Sequence, residues 1–405
     1  MKNAMTGRYK NKDWSRVKFG DVVQLNRDRI ADPLAEGVER YVGLEHIEPE
    51  DLRVRSWGLV EEGITFTNAF RPGQVLFGKR RAYQRKVAVA DFSGVCSSDI
   101  YVLESADPAV LLPDLLPFIC QTEGFFEHAV GTSAGSLSPR TNWTQLANYE
   151  FALPPLAEQR RIAEVLWAYN LVLNGLDDSI QAGQALYQSV TDAHAHGEHQ
   201  IRKVQSWVGM IPTDWSLVQL EEVFSETQYG LSIAPNVKGA YPILRMMNIE
   251  NRLVVENDLK FVDLTEKDFD SYRLLHGDIL FNRTNSYELV GRTGIYKLEG
   301  DHVFASYLVR IRTVPDRLLP EYLVAYMNSS LGRRQILSYA TRGVSQANIN
   351  ASNLSRVYIP LPPIDEQRAM IEEQESIQNS MKLLESRREQ AYQTKRQMIE
   401  ELLAQ

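Results

Sequence analysis

The run FGKRRAYQRK, Phe77 to Lys86, crowds Lys79, Arg80, Arg81, Arg85 and Lys86 around Tyr83 in an otherwise acidic chain. Arginine offers paired donors to guanine edges and phosphates, and tyrosine can stack on a base or bond a phosphate. A second polar loop, FNRTNSYELVGRTG, carries Asn282, Arg283, Thr284, Asn285, Ser286, Tyr287 and Arg292. Asparagine there suits an adenine edge. Both loops follow an apolar, strand-like run, yet they differ in nearly every side chain. That is the pattern of one scaffold reading two different targets, rather than of two solvated hairpins. Two further polar segments stand later in each half. One holds Thr132, Ser133, Ser136, Ser138, Arg140 and Asn142; the other holds Ser345, Gln346, Asn348 and Asn350. These side chains could contact phosphates or bases, or equally cap a short helix.

Catalytic chemistry is hard to find. No glycine-rich loop ending in Gly-Lys-Ser/Thr is present to cradle a phosphate, and no acidic-acidic-lysine nuclease arrangement stands out. Leu153-Pro154-Pro155-Leu156 and Leu361-Pro362-Pro363-Ile364 superficially resemble the Asn/Asp-Pro-Pro-aromatic loop of amino-methyltransferases. They lack both the polar residue that would bond the target amine and the aromatic that would stack on the base. His194, His196 and His199 in AHAHGEHQ form the strongest metal candidate. Their place beside Gly197, after a long helix, reads as a solvated linker. Cys96 and Cys120 have no metal or redox spacing and suit a reducing compartment. No catalytic, cofactor-binding or metal-binding residue is therefore expected in this chain. Net charge is −8, which leaves nucleic-acid binding open, because clustering of positive groups matters more than their sum.

The elements that position these loops come in duplicate. LPPLAEQRRI from Leu153 returns as LPPIDEQRAM from Leu361, 208 residues later. Trp14-Ser15 returns as Trp215-Ser216 after 201, and Gly73–Phe77 as Gly277–Phe281 after 204. Two copies of one unit of about 200 residues account for this, with small loop insertions producing the drift. Within each copy, short β-rich runs (Gln74–Phe77, Lys86–Ala90, Ile100–Leu103; Asp278–Phe281, Gly294–Leu298, Tyr307–Thr313) alternate with turn residues, and helical patches interrupt them. This predicts a mixed α+β domain. Prolines then bar helix before them, and acidic residues after them favour a helix start.

Downstream of each Leu-Pro-Pro the spacing becomes heptad-like for roughly 40 residues, or roughly 60 Å of helix. The first seam runs Ile162, Val165, Tyr169, Val172, Leu176, Ile180, Gly183 and Leu186. The second runs Met370, Ile377, Met381, Leu384, Ala391, Met398 and Leu402, with polar Gln374, Arg388 and Lys395 interspersed. Each apolar stripe finds its natural partner in the other, as an antiparallel pair. Gly183 is expected to fray or kink its helix. The divisions expected are residues 1–153, a first globular domain; 154–205, the first helix and linker; 206–360, a second globular domain; and 361–405, the second helix.

Taken together, the duplicated globular unit, the LPPLAEQRRI and LPPIDEQRAM helix starts and the Gly-Asp-Ile-Leu-Phe-like strand before a variable loop resemble the specificity subunit of type I restriction–modification systems. The likeness extends from about Trp14 to the C-terminus. It implies an α+β fold in which two globular target recognition domains alternate with two long helices, paired as an antiparallel coiled coil with pseudo-two-fold symmetry. Each domain would read one half of a bipartite, asymmetric double-stranded DNA target, and the helices would act as a ruler for the spacer. The helices would also dock two modification (methyltransferase) subunits, with restriction/translocase subunits completing the complex. S-adenosylmethionine, ATP and Mg would belong to those partners, and this chain would be non-catalytic. The residues expected at DNA are Lys79, Arg80, Arg81, Tyr83, Arg85, Lys86, Ser136 and Arg140, then Asn282, Arg283, Thr284, Asn285, Tyr287, Arg292, Gln346 and Asn348. An orphan subunit, or a recognition subunit of another phage-defence system, is the alternative. No apolar run is long enough for a membrane span, and the first residues lack a signal core, so a cytoplasmic location is expected.

Overall fold

The computed structural model describes residues 14–403 except 199, 201, 207, 344 and 345. It divides into two compact units, Met1–Ser179 with Leu384–Gln405, and Ile180–Leu383.

In the first unit the central sheet has four strands in the order Val23–Leu25, Ile100–Ser105, Val75–Gly78, Val87–Val89, all antiparallel. Val75–Gly78 is buried on both faces, which explains why its residues are apolar without alternation. Gly73 opens it from a turn at φ +85°, in the left-handed region that favours glycine. A second four-stranded sheet packs around Val42, Phe70 and Leu76. The main core joins Phe19, Phe77, Phe118 and Phe125 to Leu166 of the first long helix and Ile399 of the second.

The second unit repeats the plan. Phe224–Tyr229, Leu308–Thr313, Ile279–Asn282 and Thr293–Ile295 follow the same order, extended by Leu253–Val254 and Ile249–Glu250. Gly277 stands at φ +91° before the matched strand. Its core gathers Phe281, Ile311, Tyr322 and Tyr326 around Met370 of the second long helix.

The repeated decapeptide has the same structural job in both units. The strand Glu150–Leu153 pairs with Ser15–Lys18, and Tyr358–Leu361 pairs with Ser216–Gln219, with Ser15 opposite Leu153 and Ser216 opposite Leu361. The long helices start at once, Leu156–His196 and Ile364–Leu403. Gln159 is buried and staples the preceding chain. Its Oε1 accepts from the Leu112 amide at 2.7 Å, and its Nε2 donates to the Val110 and Pro154 carbonyls at 2.8 and 2.9 Å. Gln367 repeats this with the Leu319 amide and the Arg317 and Pro362 carbonyls, each at 2.9 Å.

Within each unit, half of one long helix lies antiparallel to half of the other. In the first, Asp177 meets Arg388 and Tyr392 while Asn170 meets Lys395. In the second, Tyr187 meets Gln378 while His194 meets Glu373 and Gln374. The seam of the second helix faces inward as expected. That of the first is displaced: Val165, Val172 and Leu186 are exposed, and Leu166 and Leu173 are buried beside Ile162 and Ile180. Both choices satisfy a three-four spacing, and only the neighbouring core, through Leu166, selects between them. Gly183 does not fray the helix, which runs unbroken through it. A Cβ there would stand 2.8 Å from Met381 Cγ, so the glycine makes room for a methionine. His194 and His196 also lie inside that helix rather than in a linker, with His194 buried; His199 falls outside the described residues.

Candidate nucleic-acid interface

In each unit the structure brings together the two polar segments that the sequence keeps far apart. In the first, Arg80 forms a β-bridge with Arg140, 60 residues on. The Lys79 amide donates to the Asp99 carbonyl and the Thr141 amide to the Lys79 carbonyl, both at 2.9 Å; the Arg81 amide donates to the Pro139 carbonyl at 2.7 Å. In the second, the strand Thr284–Asn285 pairs with Ala347–Asn348, placing Thr284 opposite Asn348. There the Arg283 amide donates to the Tyr307 carbonyl at 3.0 Å, and the Ile349 amide to the Arg283 carbonyl at 2.9 Å. Counting by the repeat spacing, Lys79, Arg80, Asp99, Arg140 and Thr141 correspond to Arg283, Thr284, Tyr307, Asn348 and Ile349. One hydrogen-bonded backbone node thus carries different side chains in the two copies.

The side chains of the first node are held by charge. Asp99 accepts from Arg80 Nη1 at 3.2 Å and from Arg140 Nε at 2.7 Å. Burial raises the Asp99 pKa, but hydrogen bonds from Arg140 and Arg80 outweigh it and hold the carboxyl below the ordinary aspartate value. Arg80 Nη2 and Arg81 Nη2 donate to Ser138 Oγ at 3.0 and 3.4 Å. Lys79 sits over the Tyr101 ring at 4.6 Å, and burial lowers its pKa. Arg81 and Arg85 flank the short helical turn Ala82–Gln84 with φ of +54° and +57°. Two non-glycine residues in the left-handed region mark a strained turn, and at its apex Tyr83 is 56% exposed. Arg85 is turned inward, to Glu123 at 2.7 Å, Glu50 at 3.5 Å and the Phe126 ring. Lys86 Nζ donates to the Leu44 carbonyl at 2.7 Å. Both therefore brace the loop. Ser136 is exposed.

The second node has no carboxylate, and Arg283 is its one charged side chain. Asn348 Nδ2 donates to Thr284 Oγ1 at 2.7 Å, and Arg283 Nη2 donates to Asn348 Oδ1 at 3.2 Å. Arg283 also covers the Tyr229 ring at 4.8 Å, and Arg342 covers the Tyr287 ring at 3.7 Å. Asn285 Oδ1 accepts from the Ser286 amide. Arg292 and Gln346 are exposed, whereas Asn282 is fully buried at the end of its strand, out of reach of a ligand on the surface. Among the weaker candidates Thr132, Ser133, Asn142 and Asn350 serve helix ends: the hydroxyls bond carbonyls four residues back, and the amides cap the following turns. Ser345 lies outside the described residues.

Sequence reasoning missed Asp99, Tyr101, Tyr229, Tyr307 and Arg342. Asp99 and Tyr307 sit at matched places before a repeated strand, so the internal alignment could have found them. Tyr229 and Arg342 gave no signal, because ring-over-cation packing leaves no spacing in the chain. Among the described residues no group of three or more His, Cys, Asp or Glu side chains is placed to hold a metal, and no helix is long and apolar enough to cross a membrane.

Comparisons with known proteins agree with this duplicated architecture. Residues 11–181 and 212–392 each match the type I restriction modification DNA specificity domain. The MjaX specificity subunit of Methanocaldococcus jannaschii is 34% identical over 177 residues, 42% of this chain and 40% of that protein. The EcoKI specificity subunit of Escherichia coli is 28% identical over 284 residues, 66% of this chain and 60% of that protein. This chain thus spans less than two thirds of each of those two relatives. The MjaVIII specificity subunit of M. jannaschii is 23% identical, over 96% of this chain and 92% of that protein. In fold, a chain from a type I R-M system complex superposes with a TM-score of 0.60 at 18% identity, covering 96% of this chain and 97% of that one. The type I S subunit from M. genitalium gives 0.53 at 11%, covering 97% of each. With the specificity-domain match covering most of its length in two copies, the chain belongs to the type I restriction–modification DNA specificity family.

Proposed function

We propose that this chain is a non-catalytic specificity subunit that selects the DNA target of a type I restriction–modification complex. The units around 1–153 and 206–360 act as target recognition domains, each reading one half of a split, asymmetric site. The long helices at 154–205 and 361–405 set the spacer and dock two modification subunits, with restriction/translocase subunits joining them. S-adenosylmethionine, ATP and Mg act in those partners. At the DNA, Lys79, Arg80, Arg81, Tyr83, Ser136 and Arg140 serve one half-site. Arg283, Thr284, Asn285, Tyr287, Arg292, Gln346 and Asn348 serve the other. Arg85, Lys86 and Asn282 support the loops from behind.

The observation that carries this reading is the shared backbone node with divergent side chains: Arg80, Asp99 and Arg140 in one unit, Thr284, Tyr307 and Asn348 in the other. A common scaffold conserves the frame that positions donors, and the exchanged side chains change the bases accepted. Mapping adenine methylation in cells that express the chain with a modification subunit tests it. A split motif that depends on the chain is expected. Replacing Arg80 and Arg81 by alanine should relax one half of the motif, and replacing Arg283 and Asn285 the other half. Simultaneous loss of both halves from either pair would contradict independent recognition.

A further inference from the structure

We infer that Arg140, held by Asp99, reads a guanine, so that the half-site of the first unit contains a G·C pair at the position facing this node. The inference rests on the DNA-recognition reading above and adds the base.

Asp99 is only 15% exposed, and it spends Oδ1 on Arg140 Nε at 2.7 Å and Oδ2 on Arg80 Nη1 at 3.2 Å. Arg80 gives its second terminal nitrogen to Ser138 at 3.0 Å. Both ends of that guanidinium are committed, which makes Arg80 a clamp between the strand-end loop and the later segment. Arg140 differs. It is 50% exposed, and it meets Asp99 through Nε, with Nη2 at 3.5 Å on the same carboxylate. The opposite edge, Nη1 with the outer hydrogen of Nη2, meets no acceptor among the described residues and opens to solvent. A guanidinium fixed along one edge presents the other as two parallel donors at constant spacing. Guanine O6 and N7 in the major groove are the base acceptors that match such a fork.

Orientation is what separates a reader from a phosphate contact. A flexible arginine can follow a phosphate anywhere, whereas one anchored through Nε has lost that freedom before binding. Asp99 is thus a positioning residue and also subtracts positive charge from the loop, which reduces sequence-independent attraction. The second unit supplies the contrast: Tyr307 stands in place of Asp99, and Thr284 and Asn348 in place of the arginines, so the carboxylate-anchored fork has no counterpart at those positions.

The test uses the full chain co-expressed with its modification partner, with methylated motifs mapped for the wild type, Arg140→Lys and Asp99→Ala. Lysine keeps the charge and loses the fork; alanine keeps both arginines and loses the anchor. In both variants, discrimination at one G·C position of one half-site is expected to fall by on the order of tenfold, with the other half intact. The intact half also reports that the variant is folded. Uniformly weaker methylation with unchanged base preference would mark a structural or phosphate role and overturn the inference. So would relaxation at an A·T position, or no change. A wild-type chain that directs a split motif therefore separates failure of the guanine assignment from failure of the recognition reading, whose sign is the absence of any chain-dependent split motif and which would end this inference too.

Discussion

Gln159 and Gln367 are single residues that do the work of a joint. Each satisfies one amide and two carbonyls where a sheet domain hands over to a long helix, and each is buried. Their side chains offer a donor pair and an acceptor at one end, which neither glutamate nor leucine of similar size provides. Replacing either by alanine strands buried backbone groups. We expect a loss of about 1–3 kcal/mol of unfolding free energy per site, measured by urea denaturation. A loss below ~0.5 kcal/mol would mean that water substitutes for the amide. Asp99 works at the same scale but on the surface, fixing two arginines, so its removal should alter recognition more than stability.

At the scale of elements, the helix pairing of the first unit contains an anomaly in Lys395. It is buried, and Nζ donates to Asn170 Oδ1 at 3.0 Å and to the Glu50 carbonyl at 3.3 Å. Burial lowers its pKa to about 8, against the opposing pull of Asp51 and Glu50. The unfolded lysine titrates near ~10.4, so between pH 8 and 10 the unfolded state binds more protons and stability rises with pH. Between pH 7.5 and 10 the effect is roughly 2–3 kcal/mol. The buried thiols Cys96 and Cys120, both with raised pKa, act in the opposite sense over the same range. The comparison to make is therefore wild type against Lys395→Met, which shares those thiols. The difference in unfolding free energy between the two should shift by that amount in favour of wild type from pH 7.5 to 10. A constant difference would show that Lys395 is not protonated differently in the two states.

For the whole molecule, helix length should set the distance between the two half-sites. The long helices have 41 and 40 residues, and a helix advances about 1.5 Å per residue. Deleting one heptad from each removes about 10 Å while returning side chains to nearly the same face, since seven residues are close to two turns. A methylation motif with a spacer shorter by about three base pairs is expected, because B-DNA rises about 3.4 Å per pair. Mapping the motif of the double deletion checks this. An unchanged spacer would remove the helices from that role.

The duplication, the α+β character, the sites where the helices begin and the loops that vary are all legible in the sequence. These are carried by local pattern: prolines and glycines restrict φ and ψ where they stand, and apolar periodicity reports which element must be buried. It left the seam of the first helix ambiguous, because Val165 and Leu166, or Val172 and Leu173, both fit a heptad; packing of Leu166 into the core decided between them. It also offered Arg85, Lys86 and Asn282 as equal to Arg140, since composition does not say which way a side chain turns. Only tertiary structure joined Arg80 to Arg140 and Thr284 to Asn348, and placed Asp99 between two arginines. The physical reason is that such a node is built from hydrogen bonds between residues some 20–65 positions apart, and those leave no periodicity along the chain.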